Sequence, residues 1–178
     1  SYNYEGRDKR DTLGSSLRVA YDAPWFKMTS ITAYRGYNDV TRNDQDFTPY
    51  DLITAREDIK DRQFTQEFRF ASPEGSGPLK WLGGLYLYKK HQDHTLDLNY
   101  GQGAADMGMV PMAMTNTADS DIKTYGYAVF GQATYTLFDK LDLTAGLRYE
   151  YEKNKLDYAS DYLAGGMAVP GMSSDIKS

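Results

Sequence analysis

Residues 141–152, LDLTAGLRYEYE, alternate without interruption: Leu141, Leu143, Ala145, Leu147, Tyr149 and Tyr151 share one parity, and Asp142, Thr144, Gly146, Arg148, Glu150 and Glu152 the other. Strand side chains point to opposite faces with period two, so this run separates completely into an apolar and a polar face. The run before it puts Tyr125, Tyr127, Val129, Ala133 and Tyr135 on one face, with Phe130 intruding among Thr124, Gly126, Ala128, Gln132 and Thr134 on the other. The short turn Phe138-Asp139-Lys140 joins the two. A membrane-barrel strand needs about ten residues to cross the hydrocarbon, apolar toward lipid and polar toward the lumen, with aromatics at both borders. Both runs meet that requirement, which makes 125–152 a membrane-barrel hairpin.

The same punctuation recurs upstream. A first pair runs over 14–21 and 26–41 around Asp22-Ala23-Pro24-Trp25, where proline fixes φ and cannot donate to a ladder. Leu17, Val19 and Tyr21 share a face in the first of these strands, while 26–41 is rich in β-branched and aromatic residues with poorly separated faces. A second pair runs over 63–71 and 79–92 around the turn SPEGSGP. Phe64, Phe68 and Phe70 oppose Thr65, Glu67 and Arg69, but in 79–92 both alternate sets are apolar, Trp81, Leu85 and Leu87 against Leu82, Tyr86 and Tyr88. The registers of 26–41 and 79–92 are therefore open. Polar stretches over 42–60 and 93–121 separate the pairs, and the chain is read as loop from beyond Lys153 to Ser178. The expectation is an all-β chain of six antiparallel up-and-down strands in three hairpins, with short turns at one end and long loops at the other, the asymmetry of outer-membrane barrels.

Composition narrows the chemistry. Sixteen tyrosines stand beside seven phenylalanines and two tryptophans in a chain of mean hydropathy −0.65, and such amphipathic rings suit wet borders better than dry cores. A net charge of −5 with no basic stripe along the sequence argues against a nucleic-acid surface. The absence of cysteine removes disulfides, thiolate metal sites and cysteine nucleophiles. No phosphate loop, nucleophile elbow, zinc-protease helix or histidine triad is present, so no catalytic residues and no cofactor are expected.

Three segments resemble the outer-membrane β-barrel region of TonB-dependent receptors, in particular the sphingomonad-type group: SITAYRGY at 30–37, FTQEFRFASPEGSGPLKWLGGLYLY at 64–88, and YGYAVFGQATYTLFDKLDLTAGLRYEYEK at 125–153. The resemblance implies a barrel of about twenty-two strands filled by a plug. Its implied function is import of a scarce extracellular solute, of the siderophore-iron, cobalamin or carbohydrate class, with energy delivered by TonB. On that reading 1–178 is an internal part of the barrel, about six of its strands, with neither plug nor signal peptide. Its partners are outer-membrane lipid and the rest of barrel and plug, with the TonB complex reached only through an N-terminal region that this chain lacks. Open strand edges are not tolerated in lipid, which supports the same conclusion on physical grounds.

Within that frame the candidate ligand contacts are loop residues: Asp44, Asp46, Phe47 and Tyr50 in RNDQDFTPYD, His91 and His94 in HQDH, and Met107 and Met109 in MGMVPMAM. The aspartates lack the ordered spacing of a calcium loop, so a solvated loop is the favoured reading there. The histidines, three apart at the end of a strand, point to opposite faces and are read as solvated loop residues, with no metal site expected. The methionines are read first as packing of the loop over itself or over the barrel mouth. Glu67, Arg69, Arg148 and Glu150 are expected to face the lumen, paired with one another across neighbouring strands. Two alternatives stay open: a soluble β-sandwich that binds carbohydrate, and a complete small barrel, which needs about eight strands.

Overall fold

The computed structural model describes residues 5–164, 167–168 and 174–177. Six long strands run up and down in sequence order: β1 (Arg7–Ala23), β2 (Phe26–Asp44), β3 (Ile53–Ala71), β4 (Leu79–Tyr100), β5 (Met114–Leu137) and β6 (Leu141–Ala164). Each pairs antiparallel with the next, giving one continuous sheet rather than two packed layers. This single-layer topology excludes the β-sandwich. Two short strands, β7 (Met167–Ala168) and β8 (Ser174–Lys177), pair with the far end of β6, in a region expected to be loop. The remainder of that expected loop, 165–166, 169–173 and 178, lies outside the described residues. No described helix is long and apolar enough to cross a membrane, which leaves crossing by strands untouched.

Register settles both open orientations. Leu85 stands opposite Val129 and Phe68, and Phe68 opposite Ser30, which in turn meets Val19. Trp81, Leu85 and Leu87 therefore join the face of Leu143, Leu147, Tyr149 and Val129, while Leu82, Tyr86 and Tyr88 join Glu67, Arg69, Arg148 and Glu150. On β2 the apolar face receives Met28, Ser30, Thr32 and Tyr34. Its polar members are satisfied locally: the Gln66 amide donates to Ser30 Oγ at 2.9 Å and accepts from Thr32 Oγ1 at 2.5 Å.

Phe130, the one apolar intruder in its run, lies on the polar face above Gly84. A Cβ on Gly84 would stand 2.4 Å from Phe130 Cζ and 2.7 Å from the Phe68 carbonyl oxygen, so the ring occupies the space that glycine leaves. The turn after β5 places Phe138 and Asp139 at φ 53° and 55°, with Lys140 N–H donating to Leu137 O at 3.1 Å. Two successive positive φ values make a type I′ turn, whose twist matches that of the flanking strands.

The strands outrun the sequence expectation at their loop ends. β1 begins at Arg7, β3 at Ile53 and β5 at Met114, β4 continues to Tyr100 and β6 to Ala164. The extra residues are mostly polar, and polar cross-strand bonds hold them: Thr95 to Asp119 at 2.6 Å, Thr117 to Asp97 at 2.7 Å and Thr115 to Asn99 at 2.9 Å. Alternation of hydrophobicity is silent where both faces are wet. A strand of 24 residues such as β5 spans roughly 80 Å, against roughly 30 Å of hydrocarbon, so more than half of it stands clear of the membrane.

Candidate functional site

The polar face carries a ladder of paired charges. Near the short turns, Arg69 Nε donates to Glu67 Oε1 at 2.6 Å, and Arg148 Nη2 lies 3.1 Å from Glu150 Oε2. These four expected residues do share one face, with Tyr86 and Phe130 among them. They pair along their own strands, two residues apart, and not across neighbouring strands as expected. The reason is register: Glu67 faces Tyr86, and Arg148 faces Phe130, so neither charge meets an opposite charge sideways.

Further up the same face, Tyr88 donates its hydroxyl to Glu152, and Asn154 donates to that carboxylate at 2.8 Å. Lys90 Nζ lies 3.0 Å from the buried Asp61 carboxylate. Arg10 bonds the buried Asp39 and stacks over the Tyr37 ring. None of these partners was singled out from sequence, since each joins positions that only strand register brings together. Burial of Asp39 and Asp61 is tolerable because each has its cation.

The histidines separate as expected but sit in mid-strand, not in a loop. His94 Nε2 lies 2.7 Å from Glu57 Oε1 on the polar face. His91 lies on the opposite face, 2.9 Å from Asp121 Oδ2 and 3.2 Å from Asp93 Oδ1. One ligand atom from each of His91, Asp93 and Asp121 falls within 4.8 Å of the others, a set of the kind that can hold a metal. The second Asp121 oxygen is taken by Lys123 Nζ at 2.9 Å, so an ammonium already supplies the positive charge there. Hydrogen bonds from His91 first, then from Lys123, hold the Asp121 carboxyl below its ordinary range.

The loop candidates divide by role. Asp44 and Asp46 are internal fasteners. Asp44 Oδ1 accepts from the Asp46 and Phe47 N–H groups at 3.1 and 3.2 Å, and Asp46 accepts from Thr48 N, Thr48 Oγ1 and Ile53 N at 2.9, 2.5 and 2.8 Å. Carboxylates bound in this way shape the 45–52 loop and are not arranged around a cation. The second loop holds a short helix, α1 (Gln102–Asp106), and docks on the first: Gly101 N–H donates to Leu52 O at 2.9 Å and Gly103 N–H to Asp51 O at 3.1 Å. A Cβ on Gly101 would lie 2.3 Å from the Asp51 carboxylate, so the two loops meet only because that side chain is absent.

Pinned in this way, the loops present Phe47, Tyr50, Met107, Met109 and Met112 to solvent. Phe47 is 74% exposed, and the three methionines are 58, 53 and 53% exposed. The expected packing of the methionine segment is made by Met114 alone, which is 4% exposed at the start of β5. The reason is that docking runs through backbone groups of 101–103, which leaves 107–112 to project beyond them. The result is a set of exposed apolar and aromatic side chains carried by two docked loops at the loop end of the sheet.

The family model of the TonB dependent receptor-like β-barrel matches residues 1–171. Among solved structures, the chain is similar to the crystal structure of the ferric yersiniabactin uptake receptor FyuA from Yersinia pestis. Identity is 20%, the TM-score is 0.65, and the alignment covers 96% of this chain and 24% of that one. At that identity the likeness speaks to the fold, and the chain spans about a quarter of the receptor it matches. A single up-and-down sheet with one apolar face, short turns at one end and a family match over nearly its whole length identify this chain as a member of the TonB-dependent receptor β-barrels of the bacterial outer membrane.

Proposed function

We propose that the chain forms part of the wall and extracellular mouth of an importer for a ferric siderophore, with the polar face toward the lumen and the loop ends as first contacts for the solute. On this reading residues 1–178 belong to the middle of a larger barrel. The edge of β1 and the 141–156 edge of β6, which pair with no described strand, bond to further barrel strands. A plug fills the lumen, and TonB acts through that plug.

The observation that carries the reading is the exposure of Phe47, Tyr50, Met107, Met109 and Met112 on two loops that dock on each other. Flat, amphipathic chelates bind by stacking on aromatic rings and by contact with adaptable thioethers. Cobalamin and carbohydrate are the competing classes, and the siderophore is favoured by the ligand named for the structurally similar receptor.

The test is solute binding by the intact receptor, read by quenching of intrinsic fluorescence with ferric chelates, cobalamin and oligosaccharides offered in parallel. The expected result is saturable binding of a ferric chelate, weakened about tenfold or more in a Phe47→Ala/Tyr50→Ala variant, as for aromatic anchors at other interfaces. Saturable binding of an oligosaccharide with no response to any chelate overturns the assignment.

A further inference from the structure

Six basic side chains gather where the apolar face ends. On β3 to β6 that face carries Phe64, Leu87, Tyr127 and Tyr151, and the register then places Phe64, Lys89, Tyr125 and Lys153 side by side across four strands. The next row outward is Arg62, His91, Lys123 and Lys155, and Lys60 follows on β3. All six cations are exposed.

Adjacent strands lie about 4.8 Å apart, so Lys123 and Lys155 are like charges placed directly opposite, an arrangement that costs stability. Among the described residues Lys123 alone of the six has an ion-pair partner, Asp121. The row is therefore a concentration of positive charge without enough protein anions to balance it.

We propose that this row binds the phosphate groups of anionic lipids in the outer leaflet. Its depth fits that occupant. Lys89 and Lys153 flank Tyr125 in register, and Tyr151 precedes Lys153 by two residues on the same face, so alkyl stems of this length can stay on apolar surface while their ammonium groups reach headgroup level. Short turns are periplasmic in bacterial barrels, which places this border on the outer side.

The charge pattern also limits the site vertically and laterally. In the row that Lys60 begins on β3, strands β4 to β6 turn acidic at Asp93, Asp121 and Asp157, which repels phosphate there and holds it at the level of Lys89, Lys123, Lys153 and Lys155. At the same level β1 and β2 present Leu13, Ser15, Gly36 and Asn38, so the site covers β3 to β6 only.

The experiment uses the intact receptor in bilayer discs of phosphatidylcholine with and without phosphatidylglycerol, and measures by native mass spectrometry how much phosphatidylglycerol stays bound. The expected result is preferential retention that falls with salt and drops roughly fivefold for each cation removed in Lys123→Gln/Lys153→Gln/Lys155→Gln. The control Lys9→Gln/Arg42→Gln/Arg56→Gln removes the same charge from the same face farther out, and retention is expected to be unchanged. If the triple glutamine variant does not fold, the single changes Lys89→Gln and Arg62→Gln give the same reading, each with its own fivefold drop. The proposal is overturned by equal retention in wild type and girdle variants, by an equal loss in the distal control, or by inorganic phosphate competing as strongly as the lipid.

Discussion

The two faces of this sheet are built from the same alternating chain yet handle polar groups in opposite ways. On β3 to β6 the apolar face sorts them along the strands: a belt of Leu, Val, Phe and Tyr, then cations, then carboxylates. The polar face instead holds charges at every level and neutralises them locally, Arg69 with Glu67, Arg148 with Glu150, Lys90 with Asp61 and Arg10 with Asp39. The difference teaches that solvent and not secondary structure decides where a charge can stand. Against hydrocarbon no partner is good enough, and even the neutral Gln66 must be bonded to Ser30 and Thr32. Facing water, a partner two residues away suffices.

The largest effect should come from moving a charge between faces. Val129 sits midway between Tyr125 and Tyr135 in the belt, and Val129→Arg is expected to destabilise the intact barrel by about 2–4 kcal/mol in lipid-vesicle unfolding. The same residue type introduced on the other face, Gln132→Arg, should fall within about 0.5 kcal/mol of wild type. Equal costs at the two positions would erase the distinction between the faces.

Next in size is Gly84→Ala, which forces a methyl into Phe130 and the Phe68 carbonyl. Overpacking of this kind costs about 1–3 kcal/mol. Adding Phe130→Leu should recover only part of the loss, because the carbonyl oxygen at 2.7 Å is backbone and stays in place. Complete recovery would show that the ring alone sets the fit of glycine here.

A smaller and local effect is expected where neither face is involved, in the 45–52 loop. Bonds from the Thr48 hydroxyl first, then from the Ile53 N–H, hold the Asp46 carboxyl below its ordinary range. Since the folded value is depressed, the ionised group stabilises the loop at pH above the ordinary carboxylate value, and that support is lost as pH falls through the folded value. Hydrogen exchange at the Thr48 and Ile53 amides, corrected for intrinsic rate, should show protection near neutrality that disappears in acid, and that is absent throughout in Asp46→Ala. Unchanged protection in acid would mean that the loop is held by its docking to Gly101 and Gly103 instead.

The belt was legible in the sequence because lipid punishes exceptions, and the alternation of 141–152 and 125–135 is the record of that constraint. Strand order and the three hairpins followed from turn chemistry at 22–25, 72–78 and 138–140. What escaped was everything above the membrane. The Thr-Asp and Thr-Asn bonds that extend β4 and β5 to Tyr100 and Met114 leave no hydrophobic period, so 93–121 reads as loop although most of it is strand. Orientation of β4 escaped for the opposite reason, since Leu82, Tyr86 and Tyr88 look as apolar as the residues that face lipid. The ion pairs of the upper polar face depend on register across strands, and no local spacing encodes that. Asp44 and Asp46 were visible as candidates, but their use as turn fasteners is set by backbone geometry.

The smallest expected effect separates local pairing from structural need on the polar face. Arg148 and Glu150 are about half exposed, with side chains 49 and 46% accessible, and an exposed ion pair is worth about 0.2–1 kcal/mol because water screens it and side-chain entropy opposes it. A double-mutant cycle of Arg148→Gln and Glu150→Gln should therefore give a coupling energy inside that range, falling as salt is raised. Both residues lie on the lower part of β6, whose described edge is free, so a neighbouring strand in the complete barrel adds polar groups but removes little water from a wide lumen. A coupling well above 1 kcal/mol would place the pair in a dry environment. The polar face would then be packed against plug or strand at that level, and the contrast between the two faces would narrow to their upper halves.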